Sequence, residues 1–100
     1  MIVYNVTVKI DINVHDEWYR WMKNEHIPDV METKLFTANK MYRLLEEDES
    51  DGITYSIQYF AESFSNYMSY KQKHAERLQQ SHQDKFKNQY TAFRSLMRDA

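Results

Sequence analysis

One hundred residues with 42% hydrophobic content suffice for a single domain with a single core and leave no length for a second. A formal charge of −2 argues against a general nucleic-acid binder, which needs a positive excess to neutralise phosphates. No cysteine is present, which excludes thiol catalysis, disulfides and cysteine-held metal centres and fits a cytoplasmic protein, and no apolar run approaches the roughly 18 residues of a membrane helix.

The first fourteen residues alternate strictly. Ile2, Tyr4, Val6, Val8, Ile10, Ile12 and Val14 point one way, while Val3, Asn5, Thr7, Lys9, Asp11 and Asn13 point the other, so the segment reads as a half-buried strand. A strand beginning at residue 2 predicts no preceding signal. His15 and Asp16 open a helix over about 16 to 25, with Asp16 as N-cap and Trp18, Trp21 and Met22 on one side. Ile27, Val30 and Met31 fall on nearly the opposite side of the same cylinder. Pro28 predicts the resolution: a break at His26-Ile27, then a short helix from Pro28 to about Glu32.

A second strand is expected from Phe36 to Leu45, an acidic solvated loop over 46 to 51, and a hairpin closed by Asp51-Gly52. The third strand spans 53 to 60, with Ile53, Tyr55, Ile57 and Tyr59 set against Thr54, Ser56, Gln58 and Phe60. Ser63 then caps a long helix whose stripe reads Phe64, Tyr67, Met68, Lys71, Ala75, Leu78, His82. Lys71 is expected to lay its stem along the core. The helix is placed to about 83 and a fourth strand over 89 to 97; the alternative is one helix running almost to the terminus. The first helix is acidic and the second basic, most simply two solvated faces.

Strand, helix, strand, strand, helix, strand is the order of an α+β ferredoxin-like βαββαβ fold with a four-stranded antiparallel sheet. Right-handed crossovers put the first and third strands in the centre, with both helices on one face. The opposite face would carry Val3, Asn5, Thr7, Thr54, Ser56, Gln58 and Phe60, a mixture of hydroxyl, amide and aromatic groups.

Four segments carry a family resemblance: YNVTV at 4 to 8, HDEWYRWMKNEHIPDVMET at 15 to 33, TYSIQY at 54 to 59 and AFR at 92 to 94. Together they resemble an uncharacterised bacterial family, the domain of unknown function numbered 4286, which is similar to the dimeric α+β barrel group. The resemblance implies a homodimer in which two sheets meet through the open face, with Asn5, Thr7, Ser56, Gln58 and Phe60 at the contact. It implies no reaction and no catalytic residues.

The residues themselves offer little dedicated chemistry. Of the four histidines, His15, His26, His74 and His82, none has metal-ligand spacing, and His74 and His82 stand two helical turns apart. One glycine in the whole chain excludes phosphate-cradling loops and the G-x-S-x-G turn, so no cofactor is expected. His26, at the helix break, either packs at a bend or projects into a cavity as a proton carrier. Trp18 and Trp21, with Tyr55, either fill the core or line a flat pocket for a small apolar or aromatic ligand. Arg94 is either an edge charge or the partner of a ligand carboxylate or a dimer-mate acid. The preferred function is a non-enzymatic dimer that binds a small ligand or a protein. The alternative, by fold analogy, is a cofactor-independent enzyme of the monooxygenase or isomerase type.

Overall fold

The computed structural model describes residues 1–100. Its sheet is antiparallel and ordered β2-β3-β1-β4, where β1 is Ile2–Asp11, β2 Ala38–Arg43, β3 Gly52–Ala61 and β4 Tyr90–Arg98. Between β1 and β2 lie α1 (His15–Trp21), a π-helical turn (Met22–His26) and α2 (Ile27–Glu32). Between β3 and β4 lie α3 (Phe64–Tyr70), a second π turn (Lys71–Ala75) and α4 (Glu76–Lys85). This is the ferredoxin-like α+β fold, with the two cleanest alternating strands at the centre. Their even and odd sets respectively, Ile2, Tyr4, Val8 and Ile10 with Ile53, Tyr55, Ile57 and Tyr59, are buried beneath the helices in one core cluster.

Several local expectations are corrected. The alternation runs on to Val14, but the strand stops at Asp11. The Asp11 carboxylate accepts the Asn13 N–H at 2.8 Å, and Ile12–Val14 form a 3-10 turn that leaves Ile12 exposed. A short carboxylate bonding the backbone two residues on competes with the sheet ladder.

The break at His26-Ile27 does not occur. The helix continues through the π turn, where the Ile27 N–H reaches the Met22 carbonyl five residues back. The wider turn gives room to the Pro28 ring, which in a regular helix strikes the carbonyl four residues behind it. It also corrects the phase. Regular winding sets Trp18 and Ile27 about half a turn apart, yet Trp18, Met22, Ile27 and Val30 are all buried.

The second helix uses the same device. Ser63 Oγ accepts the Asn66 N–H at 3.1 Å as N-cap, and the π turn after Tyr70 rotates the stripe. Tyr70, Ala75, Leu78 and His82 are buried while Lys71, expected along the core, is exposed. α4 ends at Lys85, Phe86 plugs the core, and Asn88 reverses the chain at φ 64°, so the single-helix alternative falls.

β2 is shorter than expected. Phe36 leaves it to become a core plug with its ring 4.9 Å from that of Tyr70. β2 and β3 pair antiparallel as the expected hairpin, and the loop between them, residues 44–51, is held by a two-bond fork from Arg43 to Glu49 (2.9 and 2.6 Å) and by Lys9 on Asp51 at 3.0 Å. Gly52 serves a close approach, because a Cβ there would stand 2.7 Å from the Ile10 carbonyl oxygen in the neighbouring strand. Gly52→Ala is therefore expected to lower stability by roughly 1–3 kcal/mol, the usual range for overpacking. Urea denaturation checks this, and an unchanged midpoint would contradict the crowding.

Candidate functional site

The helix face of the sheet does not close completely. Between it and the helices lies a partly enclosed cavity of about 30 Å³, room for one or two waters. Tyr4, Val6 and Val8 come from β1, Ile57 and Tyr59 from β3, and Tyr90, Ala92 and Arg94 from β4. Met22, His26 and Val30 descend from the first helical layer, and Tyr70, Gln79 and His82 from the second. Alternation along three strands and the phase shift at both π turns bring these together.

Two histidines remote in sequence meet here. The His26 and His82 rings lie 5.7 Å apart, edge to face. Trp18 Nε1–H donates to His82 Nε2 at 2.9 Å within the core, so the neutral imidazole carries its proton on Nδ1. His82 also meets Tyr90 edge-on at 4.3 Å, and His26 stacks on Trp21 at 4.8 Å. Burial lowers His26 to about 4, with Arg94 adding to the effect against the opposing pull of Asp29. Burial likewise lowers His82 to about 4, helped by His26 and Arg94. Both rings are thus uncharged at neutral pH.

The tyrosines form the other wall. Tyr4 packs among Phe36, Tyr59, Tyr67 and Tyr70 with ring centroids 5.4 to 6.2 Å apart. Its hydroxyl accepts Arg94 Nε–H at 3.1 Å and Gln79 Nε2–H at 3.4 Å. Burial raises the Tyr59 and Tyr70 phenols far above their ordinary range, so they stay protonated as donors.

Of the five residues singled out as ligand contacts, His26 and Arg94 line the cavity. Trp18 is fully buried against Tyr55, and Trp21 half-buried on His26 and Phe86. Tyr55 turns to a separate surface cleft shared with His15, Tyr19, Lys23, Met41 and Arg43. There His15 Nδ1 sits 2.8 Å from Asp16 and its Nε2 2.7 Å from the Tyr55 hydroxyl, so a ring held by the carboxylate accepts the phenolic proton. Tyr4 and Tyr59, which the sequence also offers for an aromatic pocket together with Tyr42, line the cavity, whereas Tyr42 does not; sequence reasoning passed over Tyr70, Gln79 and Tyr90. The available signal for Tyr90 was parity, since it shares the inward set of its strand. His74 stays at the surface with Arg77, and no group of three or more His, Asp or Glu side chains converges on a metal position. No helix is long and apolar enough to cross a membrane.

The histidine pair gives stability a pH signature. Both folded pKa values near 4 lie below the unfolded value of about 6.5, so between these limits the unfolded chain takes up protons that the folded one refuses. Stability is complete above pH 6.5 and declines as pH falls toward 4, by up to about 3 kcal/mol per histidine. In urea titrations across this window, His26→Phe is expected to reduce proton uptake on unfolding by about one. An identical slope in the variant would mean that His26 is not held neutral.

The fold recurs in solved structures of low sequence similarity. An ethd family protein from Bacillus halodurans aligns over 100% of both chains with 12% identity and a TM-score of 0.68. SnoaB from Streptomyces nogalater, described as a cofactor-independent oxygenase, aligns over 98% of this chain and 92% of its own with 10% identity and a TM-score of 0.63. The monooxygenase ActVA-Orf6 of Streptomyces coelicolor, solved in complex with Nanaomycin D, aligns over 99% and 88% with 12% identity and a TM-score of 0.60. Among curated proteins none matches the chain. The profile of the family described as Domain of unknown function (DUF4286) covers residues 1–100, and the chain belongs to that family.

Proposed function

We propose that this protein is a small-molecule-binding α+β module that works as a homodimer. The cavity carries the reading: fourteen side chains, ten of them hydrophobic, leave unfilled space in the middle of an otherwise close-packed layer. The enclosed space takes only a small group, and the open groove that shares Tyr90 and Arg94 with it leaves room for a flat apolar or aromatic remainder. The lining holds no serine, threonine or carboxylate, and its two histidines lack a nucleophile to activate, which favours binding over covalent chemistry. A second reading, cofactor-independent chemistry on an aromatic substrate, draws support from the printed descriptions of SnoaB and ActVA-Orf6.

The dimer part of the proposal comes from the opposite side of the sheet. Register places Val3 between Phe60 and Met97, and Thr7 between Ser56 and Phe93. Phe93, Met97 and Tyr42 are 63%, 41% and 49% exposed, an apolar rim large enough to favour a covering partner. Within it, Ser56 Oγ donates to Asn5 Oδ1 at 2.5 Å and Asn5 Nδ2 donates to Thr7 at 3.0 Å. Polar groups bonded to one another in this way are covered by a second copy at lower cost than unpaired ones. Phe93 stands on this open face rather than in the core, so a charge there leaves the packing beneath the helices intact.

Two measurements test the proposal. In thermal-shift assays against aromatic acids and polycyclic phenols, a ligand held by the folded state raises Tm, and Ala92→Phe, which fills the cavity, is expected to abolish the shift. A panel with no response, or one unaffected by Ala92→Phe, would sink the cavity reading; dioxygen uptake with a bound phenol would favour the enzyme. In sedimentation at micromolar concentration the wild type is expected as a dimer and Phe93→Asp as a folded monomer. A monomeric wild type would remove the dimer from the proposal.

A further inference from the structure

We infer that the cavity is a receptor for an oxyanion. A carboxylate or enolate oxygen would be held by the phenolic protons of Tyr4, Tyr59 and Tyr70 beneath Arg94, with the rest of the ligand leaving through the groove between α4 and β4. The inference rests on the small-molecule reading above and gives that ligand its head group.

The site is rich in donors and poor in acceptors. Tyr59 and Tyr70 are 2% and 3% exposed, and neither hydroxyl bonds another protein group. Nor is either sealed in packed protein, since every fully enclosed side-chain nitrogen or oxygen has a partner, and both tyrosines line the cavity. Tyr4 Oη already accepts from Arg94 and Gln79, which leaves its own proton free. Arg94 spends only Nε on Tyr4, and no carboxylate stands within ion-pair distance of its guanidinium. The proton on His82 Nδ1 adds another donor. No Asp or Glu lines the cavity. The acceptors that remain are neutral, one ring nitrogen of His26 and the Gln79 amide oxygen, so a cation would face Arg94 with no counter-charge, whereas one oxyanion satisfies several donors together.

Size and access agree. About 30 Å³ accepts a group the size of one or two waters, hence a carboxylate rather than a ring. An open groove of about 590 Å³ outside shares Gln79, Tyr90 and Arg94 with the cavity, so the head at Arg94 lies where the two spaces meet. Lys71, turned outward by the second π turn, lines this groove together with its single acid, Glu76.

The test compares benzoate with its uncharged isostere benzamide by NMR titration, following the amides of Tyr70 and His82. Benzoate is expected to bind about tenfold more tightly or better, the ratio for a hydrogen bond to a charged group. Arg94→Met and Tyr59→Phe are each expected to cut that ratio several-fold, and Arg94→Lys to keep part of it. Tyr59→Phe removes a hydroxyl with no protein partner, so folding is retained and the comparison stays interpretable. Equal binding of the two compounds, or a ratio untouched by both variants, would overturn the oxyanion inference while leaving the cavity as a neutral binding site. If neither compound moves the cavity resonances, the small-molecule reading and this inference both fall.

Discussion

The buried hydrogen bond from the Trp18 indole to His82 organises the interior. It joins two helices that are 64 residues apart in the chain and occupies the one imidazole nitrogen that could otherwise take a proton without tautomerising. A neutral His82 then allows His26 to sit beside it, since two imidazolium ions at that separation would repel in a medium where charges are poorly screened. The aromatic rings of Trp21, Phe86 and Tyr90 close around the pair, and the desolvation they impose keeps both rings uncharged.

Each helix carries a π turn between its two halves. A regular helix has one buried stripe, and the residues buried on either side of the turns, Trp18 with Ile27 and Tyr70 with Ala75, belong to different stripes of a regular helix. One five-residue turn in each helix brings the two halves into register with the flat sheet below. The turns stand at matching places in the two halves of the fold, each after a seven-residue α segment. They place His26 over the cavity and turn Lys71 out to the groove. Such insertions in a hydrogen-bond ladder recur at functional sites, and here the first borders the cavity and the second the groove that adjoins it.

The two faces of the sheet divide the labour. Beneath the helices the lining is aromatic and donor-rich, with Arg94 as its only charged group. On the other face the short polar side chains bond one another, and the apolar ones stand at the rim. The first arrangement holds buried donors in wait of an acceptor, and the second exposes grease around a satisfied centre. These are opposite solutions to the cost of covering polar groups, and they suit different occupants: a small anion on one side, a second copy on the other.

Period-two alternation in residues 2–11 and 53–60, the Ser63 cap and the order of elements were enough to derive the sheet, its central strands and the helix-covered face. These depend on neighbours along the chain, which a sequence displays directly. The exact ends did not follow, because Asp11, Phe36 and Asn88 act through contacts or backbone angles that periodicity does not encode. The site was half legible: His26 could be picked for its place beside Pro28 and Arg94 as a lone charge in a strand, but His82 looked like one more residue of a stripe. Only the tertiary structure brought His82 to His26 and Tyr4 to Arg94, because these meetings span 56 and 90 residues, the first depending on phase shifts at the π turns and the second on the pairing of β1 with β4. Local sequence sets which face a side chain takes; what it meets there is decided by packing between elements far apart in the chain.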